Sequence, residues 1–250
     1  MPYADNDGIR IHYEIEGQGP PLILQHGFSD SLESWYEFGY VDALRRDHQL
    51  ILIDARGHGA SDKPHHTAAY TKQLQASDVV AVMDKQTIPR ADYMGYSMGG
   101  RIGFAMAEYA PERVCSLLIG GAAGIGLSRI GHPFLKALRA HGSEGIPEIW
   151  GVPLTPSHRE RLRANDSKAL DACLADNLGY ADVLPTMTMA CLVYAGTADP
   201  IYPLAEATVA EMPNVTFITL PGLAHAEGML RSDLVLPHVF EFLSSVKSAS

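Results

Sequence analysis

Met94-Gly95-Tyr96-Ser97-Met98-Gly99-Gly100 sets three glycines around one serine at the end of an apolar run. The stretch Ala91 to Ser97 has the character of a strand, and the run from Met98 to Tyr109 has that of a helix, so the serine stands at a strand-to-helix turn. Two readings are open: a plain glycine-rich connection, or a turn that exposes a nucleophile. Gly95, Ser97 and Gly99 fit the pattern G-x-S-x-G, which needs small flanks because the turn is tight enough for side chains two positions either side of the serine to collide. Five residues alone do not decide between the two readings.

The surrounding chain supplies the context. Ile9 to Gly17 alternates with period two and predicts an N-terminal antiparallel strand. The runs beginning at Pro21, Gln49, Ala91, Val114, Ala190 and Val215 are short and apolar, as in parallel strands covered on both faces. Helix-like segments lie between them, around Ser34 to Arg46, Thr71 to Thr87, Met98 to Tyr109, Pro203 to Met212 and Asp233 to Val246. Strand and helix alternate, which is the pattern of an α/β domain. One interval departs from the rhythm: residues 125–189 carry no convincing strand and several short helical patterns. The expected organisation is therefore a core of residues 1–124 and 190–250 with a helical cap, 125–189, over the carboxyl ends of the strands, where open α/β sheets bind ligands.

A serine hydroxyl needs a base to take its proton, and the base needs an acid to orient it. Asp199, in Thr197-Ala198-Asp199-Pro200, follows the apolar run Ala190 to Gly196; His225, in Leu223-Ala224-His225-Ala226, follows the run Val215 to Gly222. Taken singly, Asp199 reads first as a turn or N-cap residue and His225, one of eleven histidines, as a surface-loop residue. Together with Ser97 they fall in the order Ser, Asp, His at three strand ends on one edge. The loop Gln25 to Ser31 can direct the Phe28 N–H toward that serine, where it would join the Met98 N–H as an oxyanion hole. His26 reads as a brace for that turn. Asp54, Arg56, His58 and Ser61, in the loop Asp54 to Pro64, could form a second polar set but read better as a loop stapled by ionic and hydrogen-bond contacts.

The ordered segments His26-Gly27-Phe28, Asp54 to Asp62, Gly95 to Gly100, Gly196 to Pro200 and Leu223 to His225 resemble the α/β-hydrolase superfamily across nearly the whole chain. The resemblance implies a mostly parallel eight-stranded sheet, a lid between strands six and seven, and Ser97, Asp199 and His225 as nucleophile, acid and base. A serine at the elbow departs from the aspartate pattern of epoxide hydrolases and haloalkane dehalogenases, which disfavours those reactions. What remains expected is cofactor-independent hydrolysis of a carboxylic ester or lactone. C–C bond hydrolysis of a vinylogous diketone and a small-molecule receptor that does not turn over are the alternatives.

Composition narrows the partners. The 250 residues carry 19 Lys plus Arg against 29 Asp plus Glu, a formal charge of −10 with no basic run, so neither nucleic acid nor an anionic membrane is expected to bind. No apolar stretch approaches the roughly 18 residues that span a bilayer, and the first residues lack a signal-peptide pattern, so a cytoplasmic protein acting on a small-molecule substrate is expected. Cys115, Cys173 and Cys191 are odd in number, widely spaced and not in metal-ligand spacing; they read as buried thiols, with no metal site. Among the apolar residues of the cap, Phe134 and Trp150 are the candidates to line a substrate pocket.

Overall fold

The computed structural model describes residues 2–125, 140–141, 152–174 and 179–248. Its strands are β1 (Tyr3–Asn6), β2 (Ile9–Glu16), β3 (Pro21–Gln25), β4 (Gln49–Ile53), β5 (Ala91–Tyr96), β6 (Val114–Gly120), β7 (Ala190–Gly196) and β8 (Val215–Leu220). They form one eight-stranded sheet in the order β1-β2-β4-β3-β5-β6-β7-β8. Only β2 runs against its neighbours; every other adjacent pair is parallel. The helices are α1 (Glu33–Glu37), α2 (Tyr40–Leu44), α3 (Lys72–Lys85), α4 (Met98–Tyr109), α5 (Pro156–Arg163), α6 (Ser167–Cys173), α7 (Tyr202–Ala210), α8 (Glu227–Leu230) and α9 (Ser232–Ser248). None of the described helices is long and apolar enough to cross a membrane.

Alternation along the central strands divides the core in two. Leu22, Leu24, Leu50 and Leu52 join Trp35, Tyr40 and Leu44 of α1 and α2 and Val235 and Val239 of α9. Ile23, Ile51 and Ile53 join Val79 and Val82 of α3 and Ile102 and Phe104 of α4 in the other cluster. Successive strand residues face opposite sides, so a continuous apolar run supplies both layers at once. Burying each of these large side chains contributes about 1.5–3 kcal/mol.

The strand order positions the site. The chain leaves β3 toward β4 on one side and leaves β5 toward β6 on the other, so a crevice opens between the carboxyl ends of β3 and β5. The segments after β3, β5, β7 and β8 meet at that edge.

Several sequence expectations are corrected. The segment Ser34 to Arg46 is two short helices because Gly39, at φ 80°, turns the chain left-handed between them. β8 is only half-buried, since it closes the sheet and has one neighbour where the other parallel strands have two. Cys115 is exposed, not buried, on the outward side of β6. β1 is too short and polar to stand out as an apolar run; Asp7 and Gly8, at φ 50° and 82°, join it to β2 in a two-residue hairpin.

The loop after β4 is stapled as expected. The Arg56 guanidinium donates to both Asp78 carboxylate oxygens at 2.5 Å and to the Ala69 carbonyl, with the two side chains 2% and 5% exposed. Breaking a buried pair leaves an uncompensated charge, so Arg56→Ala should lower unfolding free energy by about 3–5 kcal/mol in urea titrations. A loss below about 1 kcal/mol, the scale of a surface pair, would refute this stapling role.

Candidate active site

Ser97 lies at the end of β5 with φ 52° and ψ −111°, a backbone conformation that L-residues rarely adopt. Its N–H donates to the Gly120 carbonyl at 2.8 Å, and its carbonyl accepts from Arg101 in the first turn of α4. The small flanks have specific causes. A Cβ at Gly95 would strike the Gly99 carbonyl, and one at Gly99 would strike the Gln25 carbonyl at the end of β3. Ser97 occupies the N-cap position of α4, yet its hydroxyl makes no capping bond. The hydroxyl lies 2.9 Å from His225 Nε2 instead.

His225 Nδ1 is 2.7 Å from Asp199 Oδ2. An ionised carboxylate only accepts, so the proton belongs on Nδ1, and Nε2 is left to accept from the serine. The other Asp199 oxygen accepts from the Ile201 N–H at 2.9 Å, which fixes the carboxylate plane. Exposure changes sharply along the row: the Asp199 side chain is 2% exposed and that of His225 40%. The carboxylate is shielded while the imidazole reaches the crevice. The loops carrying these two residues are laced together, since Thr197 N–H donates to the Leu220 carbonyl and Ala198 N–H to that of Leu223.

The segment bearing His225 is also held from below. Tyr96 donates its hydroxyl to the His225 carbonyl, Tyr40 donates to the Met229 carbonyl at 3.1 Å, and a Glu227 oxygen accepts from the Ala224 N–H at 2.7 Å. Sequence reasoning missed these three residues. Tyr96 and His225 are 129 positions apart, and no local pattern links them.

Phe28 lies in a turn closed by the Asp30 N–H donating to the Gly27 carbonyl at 3.3 Å, and Gly27 packs against Ser97, where an added Cβ would sit 3.5 Å from that of the serine. Met98 is the first residue of α4, so helix geometry provides its N–H with no intrahelical acceptor.

His26 is committed elsewhere: Nδ1 is 2.7 Å from the Gly27 carbonyl, which requires a donor, and Nε2 accepts from the Ala55 N–H at 3.1 Å. Burial pushes His58 down to about 3, so it is neutral at ordinary pH. Asp54 accepts from His12, from the Leu32 N–H and from the Ala60 N–H. Burial raises its pKa, but the His12 bond and the backbone donors outweigh that and hold it below the ordinary carboxylate value. Asp54, Arg56, His58 and Ser61 thus support the loop. Among the described residues, no cluster of three or more His, Cys, Asp or Glu side chains is arranged to hold a metal ion.

Between β6 and β7, Leu162 of α5 and Leu170 of α6 pack against Phe28, Leu154 and Leu174, an apolar layer beside the loop after β3. Met98 touches Cys173 at 3.9 Å between sulfur atoms. Phe134 and Trp150 lie outside the described residues.

The family described as alpha/beta hydrolase fold matches residues 20–128. The chain is 30% identical over 232 residues to a 2-hydroxymuconate semialdehyde hydrolase of Pseudomonas sp., covering 92% of this chain and 71% of that one. It is 29% identical over 215 residues to 3-oxoadipate enol-lactonase 2 of Acinetobacter baylyi, covering 79% of each. Some other curated relatives are spanned over less than half of their own length. The crystal structure of the enol-lactonase from Burkholderia xenovorans superposes with a TM-score of 0.86 at 23% identity, covering 97% of this chain and 100% of that one.

Proposed function

The chain belongs to the α/β-hydrolase superfamily, and from that premise we propose that it is a serine hydrolase cleaving a carboxylic ester or lactone of a small, largely apolar substrate. The observation that carries this reading is the unbroken row Asp199, His225, Ser97, with contacts of 2.7 and 2.9 Å. His225 Nε2 takes the Ser97 proton as the serine oxygen attacks the carbonyl carbon. Asp199 stabilises the imidazolium that forms, and the Phe28 and Met98 N–H groups hold the tetrahedral oxyanion. His225 then protonates the departing alkoxide, and a water activated by the same imidazole releases the acid. Every proton and electron pair comes from Ser97, His225, substrate or water, so the scheme calls for no cofactor. Phe28, partly exposed in the turn that packs against Ser97, supports the choice of an apolar substrate.

C–C bond hydrolysis is the second reading, favoured by the similarity to a 2-hydroxymuconate semialdehyde hydrolase over 92% of the chain. A panel of p-nitrophenyl esters, small lactones and a vinylogous dienone diketone separates the two. We expect steady turnover of esters or lactones at a kcat/KM at least about tenfold above that of the dienone, a gap of about 1.4 kcal/mol in barrier. The reverse order would establish the second reading, and binding without product would identify a receptor.

A further inference from the structure

Ser29 carries two costs at once. Its φ of 64° is in the left-handed region, and its hydroxyl, on a residue 1% exposed, has no hydrogen-bond partner among the described residues. A glycine would remove both. This residue is the third of the four in the turn Gly27 to Asp30, the turn that carries Phe28, whose N–H the serine-hydrolase reading assigns to the oxyanion. Strain of this kind persists only where the surroundings over-determine the backbone.

The restraint comes from the segment between β6 and β7. Asn165, just beyond the end of α5, donates its side-chain amide to the Ser29 carbonyl at 2.6 Å. The same nitrogen also lies 2.9 Å from the Leu162 carbonyl, which anchors it to its own helix. Two further contacts join these elements: Leu162 and Leu170 pack on Phe28, and His158 Nε2 of α5 approaches Asp30 Oδ2 at 3.5 Å, with side chains 1% and 2% exposed. Helices α5 and α6 and Asn165 between them thus approach the side chain of Phe28, the carbonyl of the next residue and the carboxylate of the one after that.

We propose that Asn165 is a positioning residue that holds the strained Gly27 to Asp30 turn in register, so that the Phe28 N–H stands where the tetrahedral oxyanion forms. The inference rests on the serine-hydrolase reading. It makes α5 and α6 contributors to the rate of the chemical step as well as to substrate fit. The reasoning is geometric: an oxyanion donor acts within about 2.7–3.1 Å of the charge, and a displacement of about 1 Å can cost as much as a hundredfold in rate. The oxyanion exists only beyond the ground state, so loosening the turn should reduce kcat and spare KM.

The test is a double-mutant cycle of N165A and S29G, assayed with p-nitrophenyl butyrate and with a trifluoromethyl ketone, whose hemiketal oxygen mimics the tetrahedral oxyanion. N165A should lower kcat by about 10- to 100-fold with KM within about threefold, and the ketone's Ki should rise by the same factor as kcat/KM falls. Because glycine adopts φ near 64° without strain, the effect of N165A in the S29G background should shrink to about threefold or less. If N165A does not fold, N165D, the same shape with an acceptor in place of the donor, carries the same comparison. A loss confined to KM, an unchanged Ki, or an equal loss in both backgrounds overturns the proposal. A fluorophosphonate separates that failure from a deeper one. If the wild-type enzyme is labelled at Ser97 and turns over, those outcomes remove Asn165 alone. If it is neither labelled nor active, the serine-hydrolase reading falls and takes this proposal with it.

Discussion

Ser97→Ala should abolish turnover, with kcat falling on the order of 10⁶-fold, the scale seen when a triad nucleophile is removed from a serine protease. In the proposed mechanism the hydroxyl is the attacking atom; it lies 2.9 Å from His225 Nε2, and alanine leaves nothing there for the imidazole to activate. Some rate above water should survive if the proposed oxyanion donors, the Phe28 and Met98 N–H groups, still polarise a bound carbonyl. The fold should hold. Ser97 makes no capping bond, and alanine meets the same backbone strain at φ 52°. The check is ester hydrolysis in parallel with fluorophosphonate labelling and peptide mapping. Undiminished activity in the alanine variant, or labelling at another serine, removes Ser97 from the mechanism.

Asp199→Asn should cost about 10⁴ in kcat through the wrong imidazole tautomer. Asp199 Oδ1 accepts from the Ile201 N–H, so asparagine keeps that bond by placing its carbonyl oxygen there, which turns its NH₂ toward His225 Nδ1. Nδ1 must then accept, the proton moves to Nε2, and the nitrogen facing Ser97 can no longer take a proton. Asp54→Asn is the control, because Asp54 sits 3% exposed in its own network with His12 and two backbone N–H groups and touches none of the three residues. Its effect should fall on stability, about 1.5–3 kcal/mol at neutral pH. The Asp54 carboxyl is held below its ordinary value of 3.8, so its stabilisation is complete above that value and is lost as pH falls through the lower folded-state pKa. The gap between wild type and Asp54→Asn in urea should therefore narrow below about pH 3.8. If the Asp54 variant is folded and inactive while the Asp199 variant is active, the acid has been misassigned.

Most of the fold and of the candidate site is legible in the sequence itself. β3 to β8 are short apolar runs, each bounded by turn residues, and their alternation with helical patterns is a local property of the chain. Ser97 follows β5 directly, and Asp199 and His225 stand in the short loops that leave β7 and β8. In a parallel sheet all strands end on one edge, so strand order along the sequence was enough to bring the three to the same side. Gly95 was also readable, because an added Cβ would meet Gly99 within the same five residues, whereas the atom that excludes a side chain at Gly99 is the Gln25 carbonyl of a neighbouring strand.

What the tertiary structure alone decided are contacts with no repeat and no fixed spacing. Ser29 meets Asn165 across 136 positions, and Tyr96 meets the His225 carbonyl across 129. Both depend on where a loop from one strand end lies against a segment from another. The partial burial of β8 and the exposure of Cys115 depend likewise on a strand's neighbours in space. Side-chain period and turn chemistry act over a few residues, and they write the elements and their order into the sequence. The reach of an amide or a phenol across a crevice is set by the packing of whole elements, which no short stretch encodes.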